Sequence, residues 1–287
     1  MTKPKTDKFI CMLAYPVGKK EFDADSFIQP KLDGVRCYIT KDGAFSRNHK
    51  QFHNVDHIID DLRLLFNKYP NVILDGELYN HDYKDNFNKI ISLVRKQKPT
   101  SSDRMDAKAV QFHNYDIVEQ TERRVLPIKS DFRTRNETIK NLHNEYTLTF
   151  CRIVETHEVS IMESAEKWHK RFLGLGYEGS ILRNNKPYEQ KRSYNLQKFK
   201  DFSDTEAKII GWVEGQGKRT GTIGKFLAVD SYGVEFGMPV MGKQAMLEEM
   251  YDIAEWYMGR TATFTYFQKT PSGSYRHPLF KALRNYE

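Results

Sequence analysis

A chain of 287 residues, 39% hydrophobic and 13% aromatic, is long enough for a real core and suggests two domains. The net charge is +7, yet residues 201–287 carry ten basic and eleven acidic side chains. The excess therefore lies in the first 200 residues, where a basic surface suits a polyanion. No apolar run approaches the ~20 residues of a membrane span. Lys3, Lys5 and Lys8 are followed by no apolar segment of the kind a secretory leader needs. Three scattered cysteines, Cys11, Cys37 and Cys151, offer no C-x-x-C zinc site and fit a reducing compartment. The expectation is a cytoplasmic monomer with no membrane role.

In chain order, FIQPK and VRCYIT read as strands separated by the turn residues Leu32, Asp33 and Gly34, and KDGAFSRN as a hairpin turning at Lys41-Asp42-Gly43. Residues 55–69 carry Ile58, Ile59, Leu62, Leu65 and Phe66 at helical spacing and stop at Pro70. VILDGELYN is a strand, 86–97 an amphipathic helix, and AVQFHNYDIV a strand. Residues 131–145 form a helix capped by Asp131, and 164–173 a helix ending at the turn glycines Gly174 and Gly176. GSILRN and LQKFKDF are strands again. The whole is an α+β mixture without regular βαβ alternation. Beyond Lys200 the texture changes to short strands between glycine turns, AKIIGWVEGQG, GKFLAVDSYG and RTATFTYFQKT, with one helix over 244–257. That pattern matches a small barrel of the OB type. The expected domains are 1–200 and 201–287.

The chemistry concentrates in five places. Lys31-Leu32-Asp33-Gly34-Val35-Arg36 puts a lysine at a strand end, where it can attack a nucleotide α-phosphate if its neighbours help it shed a proton. Asp75 and Glu77, two apart on a strand, share one face. Tyr115 offers a ring for a base. Glu178, at a strand entry, suits a hard divalent cation. Lys198 and Lys200 alternate with Phe199 and so share a face. Each is also what an ordinary turn or strand contains; five in order are hard to obtain by chance.

The series KLDGVR, FSRN, LDGELY, HNYDIV, EGSILR and LQKFK resembles motifs I, Ia, III, IIIa, IV and V of the covalent nucleotidyltransferases. CMLA near the start and QKTPSGSYRHPLFKALR at the end are similar to the small phage and viral ATP-dependent DNA ligases. The resemblance implies a nucleotidyltransferase (ATP-grasp-like adenylation) domain of antiparallel sheets with flanking helices, followed by an OB-fold barrel. It implies Lys31 as the residue that becomes lysyl-AMP, with ATP and Mg²⁺ or Mn²⁺ as cofactors and nicked duplex DNA as partner. Gln29 falls where such ligases usually carry an acid that meets the adenine amino group; its carbonyl can still accept that hydrogen bond. Arg36 and Arg47 would lie near the ribose and the nick 5′-phosphate. Glu77 would bind ribose or metal, Tyr115 would stack on adenine, Glu178 would bind metal, and Lys198 and Lys200 would hold the α-phosphate. Arg276 and Arg284 flank Pro278 and Phe280 in the ligase manner, although the usual Asp-Lys after the last arginine is missing. Lys218, Arg219, Arg276 and Arg284 are the expected DNA contacts outside the first domain, with the glycine-rich 231–244 as a loop touching DNA.

Rivals are weighed on residues. An NAD-dependent ligase needs a further domain before its lysine, and only 30 residues precede Lys31; its four-cysteine zinc site is also impossible with three cysteines. A capping guanylyltransferase usually has T-D-G where this chain has Glu178-Gly179. RNA ligases show a looser K-x-x-G. A non-catalytic nucleic-acid binder would leave the five places unexplained. The reading is a ligase of phage or viral type, acting in replication or repair in a host cytoplasm.

Overall fold

Two runs rich in β-branched and aromatic residues, broken only by Leu32-Asp33-Gly34, form β2 (Ser26–Lys31) and β3 (Val35–Thr40) and carry the chain from one sheet into another. The structure, a computed structural model, describes residues 8–18, 22–120, 125–126, 130–200, 203–270 and 272–284. The chain divides into two compact units, Met1–Phe199 and Lys200–Glu287.

In the first unit, one sheet has the order β1 (Leu13–Pro16), β11 (Arg192–Phe199), β10 (Gly179–Asn184), β2, β9 (His157–Val159). The other has the order β4 (Gly43–Ser46), β3, β5 (Val72–Tyr79), β6 (Gln111–Gln120), β7 (Val125–Leu126), with β8 (Cys151–Ile153) beside β6. Most pairs are antiparallel. The pairs β1–β11 and β6–β8 are parallel, additions to sheets expected to be antiparallel. Neither pair is joined by a hairpin; the chain from β6 returns to β8 through α5 (Phe132–Glu145), the kind of crossover a parallel pair requires. Pro30, lacking an N–H, sits in β2 beyond the three residues that pair with β9.

The helix expected over 55–69 is two, α1 (Asp56–Asp61) and α2 (Arg63–Lys68), meeting at the fully buried Leu62. The helix from Asn86 is α3 (Phe87–Val94), capped by the Asn86 side chain on the Lys89 N–H. Sequence reading passed over α4 (Ser101–Ala107), although its signal is present: Thr100 and Asp103 form a reciprocal capping box. Asp131 caps α5 by accepting from the Thr134 N–H, and α6 (Met162–Gly174) precedes β10. The main core lies between the second sheet and α1, α2, α3 and α5, around Ile39, Leu62, Leu78, Ile90, Phe112 and Ile139. No helix among the described residues is long and apolar enough to cross a membrane.

The second unit is a five-stranded antiparallel sheet. Its order is β14 (Glu235–Pro239), β13 (Ile223–Val229), β12 (Ser203–Glu214), β15 (Thr261–Tyr266), β18 (Leu279–Leu283). A small hairpin of β16 (Gln268–Lys269) and β17 (Tyr275–Arg276) and the helix α7 (Gln244–Asp252) complete it. Ala207, Phe226, Met238, Leu247, Ala262 and Phe264 form its own core. Asp201 and Phe202, which end the expected strand LQKFKDF, lie outside the described residues.

Candidate active site

Lys31 is the last residue of β2 and stands opposite Gly179, the first residue of β10. That register puts Glu178 beside it: the Glu178 N–H donates to the Lys31 carbonyl at 3.1 Å, and the Lys31 ammonium forms an ion pair with the Glu178 carboxylate. Glu178 is only 5% exposed, so the pair is largely screened from solvent on that side. Gly179 has φ +146°, and a Cβ there would stand 2.3 Å from the Phe199 carbonyl oxygen, so only glycine lets β10 begin this close to β11. Gly34 answers the same need in the turn after Lys31. A Cβ on it would lie 2.4 Å from the Leu78 carbonyl oxygen and 2.7 Å from Glu77 Cγ.

A cleft of about 260 Å³ opens between the two sheets. The first sheet lines it with Leu13, Ala14, Gln29, Pro30, Lys31, Ile181, Arg183, Arg192, Leu196 and Lys198; the second contributes Arg36, Glu77 and Tyr115, with Leu32 and Arg47 from flanking turns. Period-two alternation explains most of the polar lining. Gln29 and Lys31 alternate on β2, Ile181 and Arg183 on β10, Leu196 and Lys198 on β11. Arg36 and Glu77 are opposite neighbours on β3 and β5. Tyr115 is the extra residue of a β-bulge, since Gly76 pairs with Asn114 and Asp75 with Asp116.

Two buried ion networks stiffen this cleft. Arg36 grips Asp75 with Nε at 2.8 Å and Nη2 at 2.6 Å, and the Tyr188 hydroxyl donates to the same carboxylate at 2.7 Å. Asp116 accepts from Arg135 Nε at 2.7 Å and Arg183 Nη1 at 2.6 Å. The Arg36 and Arg183 guanidinium groups lie 4.7 and 5.4 Å from the Tyr115 ring centre. Asp75 thus shares a strand face with Glu77 but is committed to Arg36, leaving Glu77 as the carboxylate that lines the cleft.

Burial pushes the Glu77 carboxyl up to about 7, against the opposing pull of Arg36 and Lys31. Burial lowers the Lys198 ammonium, as do the positive charges of Lys31 and Arg192. Burial raises the Tyr115 phenol, which stays a neutral ring. Among the described residues no group of three or more His, Cys, Asp or Glu side chains is arranged to hold a metal. Glu178 and Glu77 are two carboxylates near one lysine. This donor set fits Mg²⁺, which takes one or two carboxylates and completes its shell with water and phosphate oxygens.

The structure thus brings Gln29, Lys31, Arg36, Arg47, Glu77, Tyr115 and Lys198 to one cleft, with Glu178 paired to Lys31. Lys200 is not among them. The strand ends at Phe199, so alternation no longer governs the next residue, and the Lys200 ammonium lies 4.6 Å from the Phe267 ring centre in the second unit. Lys218 and Arg219 stand exposed in the turn Gly217–Arg219. Arg276 donates to Gln268 Oε1 at 3.2 Å, and Arg284 is ion-paired with Glu206. Asn285, Tyr286 and Glu287, where the Asp-Lys was missed, lie outside the described residues. Sequence reading missed Arg183 and Arg192. Neither carried a signal of its own, since both reach the cleft through the pairing of β10 and β11 with their neighbours.

A second cavity of about 400 Å³ lies against α1 and α4, away from these groups. Its carboxylates are engaged locally: Asp56 with Arg104, Asp60 with Arg63, and Asp61 with the N–H groups of Thr149 and Phe150.

Residues 12–200 match the family described as ATP dependent DNA ligase domain. The chain belongs to that family. The DNA ligase of African swine fever virus is 29% identical over 216 residues, which take in 71% of this chain and 48% of the viral protein. The DNA ligase of Enterobacteria phage T4 is 24% identical over 233 residues, 67% of this chain and 47% of the phage enzyme. The chain spans about half the length of these ligases. Among solved structures, a Lig E DNA ligase described as binding DNA with a minimal scaffold superposes with a TM-score of 0.78. It does so at 23% identity, over 99% of this chain and 100% of that one, a likeness of fold. The mixed α+β architecture with several sheets is that of ATP-dependent ligases.

Proposed function

We propose that the protein is an ATP-dependent DNA ligase that seals nicks between 3′-hydroxyl and 5′-phosphate ends through an adenylated Lys31. The observation that carries this reading is the cleft in which Lys31, at a strand end beside Glu178, faces Arg36, Glu77, Tyr115 and Lys198. The family match over 12–200 spans the same residues.

The Lys31 ammonium first gives up one proton; its Nζ then attacks the α-phosphorus of ATP, an N–P bond forms as the bond to pyrophosphate breaks, and the nitrogen loses a second proton, both protons passing to solvent. An ammonium has no free lone pair, so Lys31, paired with Glu178, must lose a proton before it attacks. Tyr115 supplies a flat neutral face for adenine, and Lys198, with Arg36 and Arg47, neutralises phosphate charge as it develops. AMP then passes to the 5′-phosphate of the nick, and the 3′-hydroxyl displaces it. Glu178 and Glu77 would hold Mg²⁺ or Mn²⁺, which supplies charge neutralisation and polarises phosphate oxygens. Because a ligase must ignore sequence, DNA contacts are to the backbone; Lys218, Arg219, Arg276 and Arg284 are candidates in the second unit.

We read the two units as a nucleotidyltransferase domain and an OB fold, with the boundary at Lys200. Support for the second comes from its topology: five antiparallel strands, a helix between the third and fourth, and approach of β14 to β18 across the open edge. A phage or viral enzyme of replication or repair is the reading that the named relatives favour.

The test is nick sealing with MgCl₂ and ATP, run beside GTP. Sealing with ATP supports the reading; labelling from GTP with the nick left open replaces it with a capping-type transferase.

A further inference from the structure

The cleft holds a glutamine whose amide has only one way to face. Gln29 is 2% exposed. Its Oε1 accepts from Arg183 Nε at 2.7 Å, and its Nε2 donates to Thr156 Oγ1 at 2.9 Å. The Thr156 hydroxyl is itself committed, donating to the Val154 carbonyl at 2.9 Å, so its oxygen is left to accept. Arg183, 4% exposed, is committed on the other side, donating through Nη1 to Asp116 at 2.6 Å. Turning the amide over would set N–H against N–H at Arg183 and oxygen against oxygen at Thr156. Each clash leaves a buried polar group unsatisfied.

We propose that Arg183 is a positioning residue that sets the base selectivity of the cleft by locking the Gln29 amide in this one orientation. This rests on the reading of the cleft as a site for ATP. After its two structural bonds the amide keeps one lone pair on Oε1 and one N–H on Nε2. That acceptor-and-donor pair matches adenine, whose amino group donates beside a ring nitrogen that accepts. On its Watson–Crick edge guanine reverses that pair, O6 accepting and N1–H donating, and meets the fixed oxygen with an oxygen. An unlocked amide rotates to suit either base; the lock turns a permissive side chain into a selective one. Sequence alone makes Gln29 a departure from an acidic residue, and the structure supplies the partner that holds it.

The experiment is labelling of the full chain by radioactive ATP and by GTP, with KM and kcat measured for each on wild type, Arg183→Met, Thr156→Val and Gln29→Met. The wild type is expected to prefer ATP. Arg183→Met and Thr156→Val are expected to lower the ATP-to-GTP ratio of kcat/KM by roughly tenfold or more, chiefly through KM, because one bidentate base contact discriminates by about 1–3 kcal/mol. Arg183→Met combined with Gln29→Met should lose no more selectivity than either alone. If Arg183→Met fails to fold, having stripped Asp116 of one partner, Thr156→Val carries the test from the opposite end of the amide. A purely structural role lowers labelling by both nucleotides equally; an unchanged ratio in Thr156→Val and in any folded Arg183 variant overturns the proposal while the ATP reading stands. Absence of any label on the wild type overturns that reading and the proposal with it.

Discussion

Three of the residues that the proposed chemistry uses sit where a strand ends or a bulge turns. Lys31 closes β2, Glu178 precedes β10, and Tyr115 occupies the bulge of β6. At such positions the side chain escapes strict alternation yet keeps a rigid base. The Lys31–Glu178 pair makes a specific demand on substitution. Glu178→Gln keeps the size of the side chain and removes its charge, and is expected to reduce labelling from ATP at least about a hundredfold, the scale of losing one charge-stabilising group. Melting temperature should move little, because Lys31 regains water on its open side. Loss of label with a normal melting curve supports a chemical role for Glu178; full label at ordinary Mg²⁺ contradicts it.

At the scale of elements, the hairpin at Lys41-Asp42-Gly43, the long strands and the capped helices α3 and α5 were legible because each carries its own local signal: turn residues, alternation, an Asn or Asp cap. What was not legible depends on distant partners. β1, β8 and β9 are four residues or fewer and exist by pairing with strands remote in sequence. The break at Leu62 is likewise invisible to periodicity, since an apolar residue at helical spacing fits both one helix and two. In the site, the lysine, the carboxylates and the tyrosine announced themselves as motifs. Arg183 and Arg192 did not, because their role follows from which strand lies next to which. Two part-buried histidines, His113 on β6 and His143 on α5, also set a pH response. Burial, then the nearby Arg152 charge, lowers His113 and His143 to about 4, and His113 Nε2 is buried without a partner among the described residues. A folded value below the unfolded ~6.5 means stability is fully present above pH 6.5 and is lost as pH falls toward 4. Melting temperature is therefore expected to drop on the order of 5 °C or more between pH 6.5 and 5. His113→Gln and His143→Gln should each flatten that dependence. A slope unchanged in both variants would assign the acid response to other groups.

For the whole molecule, charge is divided unevenly. The first 200 residues hold the entire basic excess, while the rest are close to neutral. Binding to nicked duplex should therefore be governed by the first unit and should weaken linearly with salt on a log–log plot, with a slope near −0.9 for each phosphate neutralised. Arg47→Ala, which removes an exposed cation at the cleft, should lower that slope by about one while leaving binding indifferent to sequence around the nick. A slope near zero would mean that the basic surface does not meet the DNA backbone.

The central claim is that Lys31 takes AMP from ATP. Its most direct test is intact-protein mass spectrometry and gel detection of label after incubation with MgCl₂ and α-labelled ATP, on wild type and Lys31→Ala. The account predicts one AMP per wild-type chain, acid-labile as a phosphoramide is, and none on Lys31→Ala with its melting curve preserved. Label retained by Lys31→Ala, or absent from the wild type, would contradict it.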